Sequence, residues 1–186
     1  MIPSREEALE LLFDYVKGEN LRKHCLASEA VMKELAENLG RDVHKWAITG
    51  LLHDLDAEKT EGDPEQHGLL TARVMREKNM DEDMIQAVIR HNDMAEDRKR
   101  ETEFDHALAA AETITGMITA TTLVYPDKKL ASVKPKSVAK RMKQKGFAAS
   151  VNRDNIMECE KIGLPLQQFI LIAMDGMKKI SDDLGL

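Results

Sequence analysis

The residues of this chain with most chemistry to offer are His53 and Asp54, which are adjacent, His24 upstream of them, and Glu112, set alone inside a long apolar stretch. Imidazole and carboxylate together suit iron, manganese, cobalt, nickel or zinc, provided the ligands converge from elements held rigid by a core. Neighbours on a helix are about 100° apart, so His53 and Asp54 reach one ion only if it lies beside their helix near its end. His24 and Glu112 must then approach from other helices. The alternative for the His-Asp pair is a buried ion pair or a helix-end hydrogen bond, and burying both groups without a strong partner is costly.

The elements that would position these groups read as helices. The chain is rich in Ala, Leu, Met, Glu and Lys and poor in aromatics, a set of side chains that lose little rotamer freedom in a helix. Ala8, Leu11, Leu12, Tyr15 and Val16 recur at the steps of one helix face, with Gly18 as its end. A second helix spans about 21–39, with His24 in its first turns beside an apolar side and Gly40 closing it. Asp42 caps a third, apolar on most faces, that ends at His53 and Asp54.

Further along, Asp63-Pro64-Glu65-Gln66 has the form of a helix start, with His67 in the turn that follows. Met80-Asp81 and Ile85 resemble a hydrophobic staple opening a helix that His91 closes, just before the polar Asn92-Asp93. Residues 104–124 are strongly apolar around Glu112, and a last amphipathic helix covers about 166–184. The expected fold is all-α, one compact helical bundle over 1–186: a core of about 20–125, a basic segment at 126–160 and a C-terminal helix within 163–184 packed on it.

Composition bounds the rest. A chain of 186 residues has the length of one domain. Cys25 and Cys159 fall in no zinc or disulfide spacing, so reduced thiols are expected. The acidic N-terminal residues and the lack of any apolar run near ~18 residues argue for a cytoplasmic protein with no membrane segment. A net charge of -6 argues against general nucleic-acid affinity. Yet Lys128, Lys129, Lys134, Lys136, Lys140, Arg141, Lys143 and Lys145 follow one another with no acid between them. The methionines fall at apolar positions and read as core. His44 and His106, near expected helix starts, read as structural or surface residues.

The ordered set His24, then His53-Asp54 within Gly50-Leu51-Leu52-His53-Asp54-Leu55-Asp56, then Glu112 within Ala110-Ala111-Glu112-Thr113-Ile114-Thr115-Gly116, resembles the HD-domain superfamily of metal-dependent phosphohydrolases. The resemblance covers roughly residues 20–125. It implies that His67 and His91 are the extra ligands of a binuclear site and that Asp54 bridges two ions. It departs from the family pattern in having Glu112 for the usual aspartate, and Leu55-Asp56 where the best-known subgroup has Ile-Gly after the pair.

The implied activity is hydrolysis of a phosphomonoester or phosphodiester, such as a nucleotide or similar small phosphorylated substrate, by water activated on one or two divalent ions (Fe, Mn, Co, Ni, Zn or Mg). Asp54, Asp56 and Lys59 are the expected catalytic residues, with Asp56 and Lys59 lining the pocket mouth and orienting metal-bound water or a substrate phosphate. Lys128, Lys129, Lys134 and Lys136 are the expected substrate-phosphate residues. The alternatives are a di-iron oxygenase of the same superfamily and a non-catalytic sensor of a nucleotide or metal.

Overall fold

A computed structural model describes residues 1–61, 63–92 and 98–186. Among them are ten α-helices and two 3-10 turns, with no strand. They are α1 (Arg5–Tyr15), α2 (Glu19–Leu39), α3 (Val43–Leu52), α4 (Leu69–Glu77), α5 (Glu82–His91), α6 (Glu103–Leu123), α7 (Pro135–Met142), α8 (Arg153–Met157), α9 (Leu166–Lys178) and α10 (Ser181–Leu184). Leu130–Ser132 and Glu158–Ile162 form the 3-10 turns. The expected all-α fold is thus observed. No helix of the described residues is long and apolar enough to cross a membrane.

Three helices make the frame of the site. α3 is buried from Trp46 to Leu52, and the Asp42 side chain caps it by accepting from the Lys45 amide at 2.9 Å. α2 packs along it through Cys25, Ser28, Val31, Met32 and Leu35. Their approach is close at Gly50, where a Cβ would lie 2.7 Å from the Ser28 carbonyl oxygen. Only a residue without a side chain lets the end of α3 come this near α2, and so brings His53 beside His24. α6 runs against α2, α3 and α5 and is almost wholly buried. Its first turn is closed by a capping box of Thr102 and Asp105, while Trp46 and Phe104 stack at 5.1 Å.

Several boundaries differ from expectation. Residues 64–68 are turns, and α4 starts only after Gly68, whose φ of 85° is left-handed. Asp63 is not its cap, because the carboxylate of Asp56 reaches the helix start first: Oδ2 accepts from the amides of Gly68, Leu70 and Thr71 at 2.9, 3.1 and 3.0 Å. Gly18 precedes α2 as its N-cap, and α1 already stops at Tyr15. The last helix divides into α9 and α10 around Lys179 and Ile180. The basic segment is folded: Val138 and Leu130 are buried, and α7 packs on α6 and α9. Asp93 lies outside the described residues.

Candidate metal centre

The six residues expected as ligands come from five places in the chain. His24 is on α2, His53 is the C-cap of α3 with Asp54 next to it, His67 precedes α4, His91 ends α5, and Glu112 lies in the middle of α6. The side chains converge. His24 Nε2 is 3.1 Å from His53 Nε2, and His67 Nε2 is 3.0 Å from His91 Nε2. Between the two pairs lies Asp54: Oδ1 is 3.2, 3.4 and 3.5 Å from Nε2 of His67, His91 and His53, and Oδ2 is 3.5 Å from Nε2 of His24. Glu112 Oε2 is 3.9 Å from His24 Nε2.

What each ring does with its other nitrogen fixes what Nε2 can do. His53 Nδ1 donates to the Gly50 carbonyl at 2.8 Å and His91 Nδ1 to the Val88 carbonyl at 2.6 Å. Thr115 Oγ1 donates to the Glu112 carbonyl at 2.6 Å and therefore accepts from His24 Nδ1 at 3.0 Å. His67 Nδ1 faces Asp56 Oδ1 at 3.0 Å. With every Nδ1 committed to an acceptor, each neutral ring presents Nε2 as a lone pair, the state in which histidine binds a metal.

Lone pairs that meet at 3 Å need a cation between them. Two ligand atoms about 2.05 Å from one ion, at octahedral or tetrahedral angles, stand roughly 2.9–3.4 Å apart, which matches the 3.1 and 3.0 Å between the paired Nε2 atoms. The independent sign is Asp54 Oδ1, which is buried and, with the rings around it neutral, accepts no hydrogen bond. A charged oxygen in that position is unfavourable unless paired. Ligand atoms of His53, Asp54 and His91 all lie within 4.8 Å of one another, as do those of His24, His53 and Glu112. The donor set fits a divalent ion of the transition series.

Electrostatics agree with that reading. Burial holds the His24 pKa below its usual value and pushes that of His53 down to about 3, so both stay neutral. Burial would raise Asp54, but the imidazoles of His53, His67, His91 and His24 outweigh it and hold the carboxyl well below the ordinary range. Burial likewise opposes the charge on His67, yet Asp54 and Asp56 push its pKa up to about 10. In the metal-free protein a proton on His67 Nε2 is therefore what faces Asp54 Oδ1, in the place a cation would take.

Other expectations for the site are corrected. Asp56 is not at a pocket mouth. It is fully buried, and its carboxylate is spent on the α4 amides and the His67 ring, which also hold its pKa low against the effect of burial. Lys59 is exposed, with Nζ 4.4 Å from the centre of the Tyr15 ring. Lys134 and Lys136 border a cavity between α7 and α9, along with Gln167 and Leu171, and Lys128 and Lys129 are exposed on the preceding loop. None of these four lysines borders the cleft that reaches His24. That cleft, of about 490 Å³, lies between α2 and α6 and is lined by Lys23, Asn20, Thr115, Thr119 and the Leu184–Leu186 segment.

Two residues escaped the reading of the sequence. Thr115, which orients His24, lies one helical turn after Glu112, and that spacing was the available signal. Lys23, beside His24, had no signal beyond its position. His106 is mostly buried and pairs through Nδ1 with Glu158, while His44 Nε2 contacts the Pro3 carbonyl at 2.9 Å, so both are structural.

Known proteins give the same frame. The profile of the HD domain matches residues 21–119, more than half of the chain and a stretch within which all six converging side chains fall. An uncharacterized protein from Methanocaldococcus jannaschii is 36% identical over 91 residues, which make up 46% of this chain and 52% of that protein. The chain thus spans about half the length of that relative.

Proposed function

Because the chain belongs to the HD domain family, whose members are typically metal-dependent hydrolases, we propose that it is a phosphohydrolase with a two-ion centre. His24, His53 and Glu112 would hold one ion, His67 and His91 the other, and Asp54 would bridge them. When bound, the ions supply a lowered pKa for water and positive charge on the phosphoryl oxygens. The observation that carries this reading is the buried Oδ1 of Asp54, facing three imidazole nitrogens with no donor of its own.

The chain's own residues do the rest. Thr115 and Gly50 keep the His24 and His53 rings turned with Nε2 inward, and Asp56 does so for His67. His24 is the most exposed of the six, so the cleft beside it is the approach for substrate. Lys23, with its Nζ 2.8 Å from the largely exposed Glu19, is the cation available there to a phosphate. Such an exposed pair contributes little and yields readily to a better anion.

The test is phosphate release from a panel of phosphomonoesters, nucleotides and cyclic dinucleotides with Mn, Fe, Co, Ni or Mg, with Asp54→Ala as blank. A phosphatase step reveals diester cleavage. Release that disappears in the variant is the expected result. Oxygen consumption without release, or tight nucleotide binding without turnover, would overturn it in favour of a di-iron oxygenase or a sensor.

A further inference from the structure

The two histidine pairs are supported differently. His24 and His53 are oriented by Thr115 and Gly50, which lie on the same helices that form the core. His67 lies just before α4 and His91 at the end of α5, and Asn92, Arg98 and Arg100, from between α5 and α6, hold the backbone at these two positions. Asn92 Nδ2 donates to the His67 carbonyl at 3.2 Å, and Arg98 Nη1 donates to the same oxygen at 2.8 Å. Arg100 takes the end of α5: Nε donates to the Arg90 carbonyl at 3.1 Å and Nη2 to the His91 carbonyl at 2.7 Å. These are carbonyls that a helix leaves without partners at its C-terminus, where a cation is also favoured by the helix dipole.

Arg100 is itself held from elsewhere. Its Nη1 donates to Asn155 Oδ1 at 3.0 Å and lies 3.7 Å from Glu158 Oε1, and the guanidinium side chain is only 10% exposed. Glu158 is fixed in turn by His106. Asn155 belongs to α8 and Glu158 opens the 3-10 turn after it, both beyond the segment that matches the HD profile. A guanidinium suits this task because its donors form a planar fork that can hold two backbone carbonyls and a side chain at once.

We infer that Arg100, locked by Asn155 and Glu158, is a positioning residue for the His67–His91 half of the metal centre, so that α8 and the turn after it are part of that centre's support. The inference rests on the two-ion reading above. Nε2 of His91 must stay 3.0 Å from that of His67 and 3.4 Å from Asp54 Oδ1, and it projects from the last residue of a helix, where fraying starts. Outer partners of this kind are worth about 10–100-fold in metal affinity.

The experiment titrates the full chain with Mn2+ calorimetrically, comparing wild type with Arg100→Met, Arg100→Lys, Asn155→Leu and Glu158→Gln, with His67→Ala marking which site is affected. The expected result is two ions in wild type, and in Arg100→Met one of them bound about 10–100-fold more weakly while the other is unchanged. Arg100→Lys keeps the charge but not the fork, and is expected to remain weakened at the same site. Asn155→Leu and Glu158→Gln shift that site in the same direction by less. Two unchanged ions in Arg100→Met, or equal weakening of both together with a lower melting temperature, overturns the inference. If wild type itself takes fewer than two ions, the two-ion reading fails, and the inference is read from the histidine ring signals of the metal-free protein by NMR. Arg100→Met must then move the signals of His67 and His91 and leave those of His24 and His53 in place; no movement overturns it.

Discussion

The carboxylate of Asp56 accepts three backbone amides through one oxygen and faces the His67 ring with the other, whereas Asp54, two residues earlier and also buried, has an oxygen that accepts no hydrogen bond while three imidazole nitrogens surround it. Both carboxylates are held in the charged form below their usual pKa. The difference lies in what faces them. Asp56 meets N–H groups, which satisfy it, and the result is a fixed helix start and a fixed ring. Asp54 meets ring nitrogens that offer it no N–H when the imidazoles are neutral, and the result is a place for a cation. A buried acid that is fully hydrogen-bonded is architecture; one left open among acceptors is a site.

Substitutions at the two positions sharpen the contrast. The largest effect is expected for Asp54→Ala, in which bound metal, measured on the purified protein by elemental analysis, falls to background and phosphate release with it. Asp56→Asn tests the other side. It removes the charge and part of the acceptor capacity at the α4 start, so about 1–3 kcal/mol of stability is lost in urea denaturation of the metal-free protein, and metal affinity drops about 10–100-fold. Retained metal affinity in Asp56→Asn would break the idea that this residue orients His67.

Thr115→Val asks whether an outer partner matters equally at the other end of Asp54. It takes away the acceptor of His24 Nδ1, and the ion on that side is expected to bind about tenfold more weakly in a metal titration. Asp105 provides a second satisfied carboxylate, outside the set of six converging side chains. It is buried, which opposes its charge, but the amides of Glu101 and Thr102, the Thr102 hydroxyl and Arg90 hold its pKa below 3.8. Its folded pKa is therefore lower than the unfolded one, so its stabilisation is complete above the unfolded value and lost as pH falls through the folded value. Metal-free wild type and Asp105→Asn should converge in stability as the pH is lowered from about 5 toward 2, and differ above that range. The smallest effect belongs to Lys59→Ala: an exposed lysine over Tyr15 should change activity little and stability by less than about 0.5 kcal/mol.

Much of the molecule could be read along the chain. The three- and four-residue apolar spacing marks α2, α3, α5 and α6 because a helix that buries one face needs that period, and Asp42 marks the start of α3 because its carboxylate can reach a free amide three residues on. The order of His24, His53-Asp54 and Glu112 made the family legible by its resemblance to a known pattern rather than by any local rule, since the residues sit on three separate helices. Other features depend on contacts between residues far apart in sequence. The start of α4 was misread at Asp63 because the group that caps it, Asp56, arrives from beyond the turn. Lys134 and Lys136 looked like phosphate binders by charge, and the packing of α7 on α9 turns them toward another cavity.

Residue types and spacing were enough to specify the helices and a store of imidazole and carboxylate ligands, because periodicity and capping act within a few residues. Which nitrogen of each ring faces inward, and which of two neighbouring aspartates is left without a donor, was decided only by the tertiary structure. Those outcomes depend on partners such as Thr115, 91 residues from His24, and on the close approach of α2 to Gly50, which no local pattern encodes.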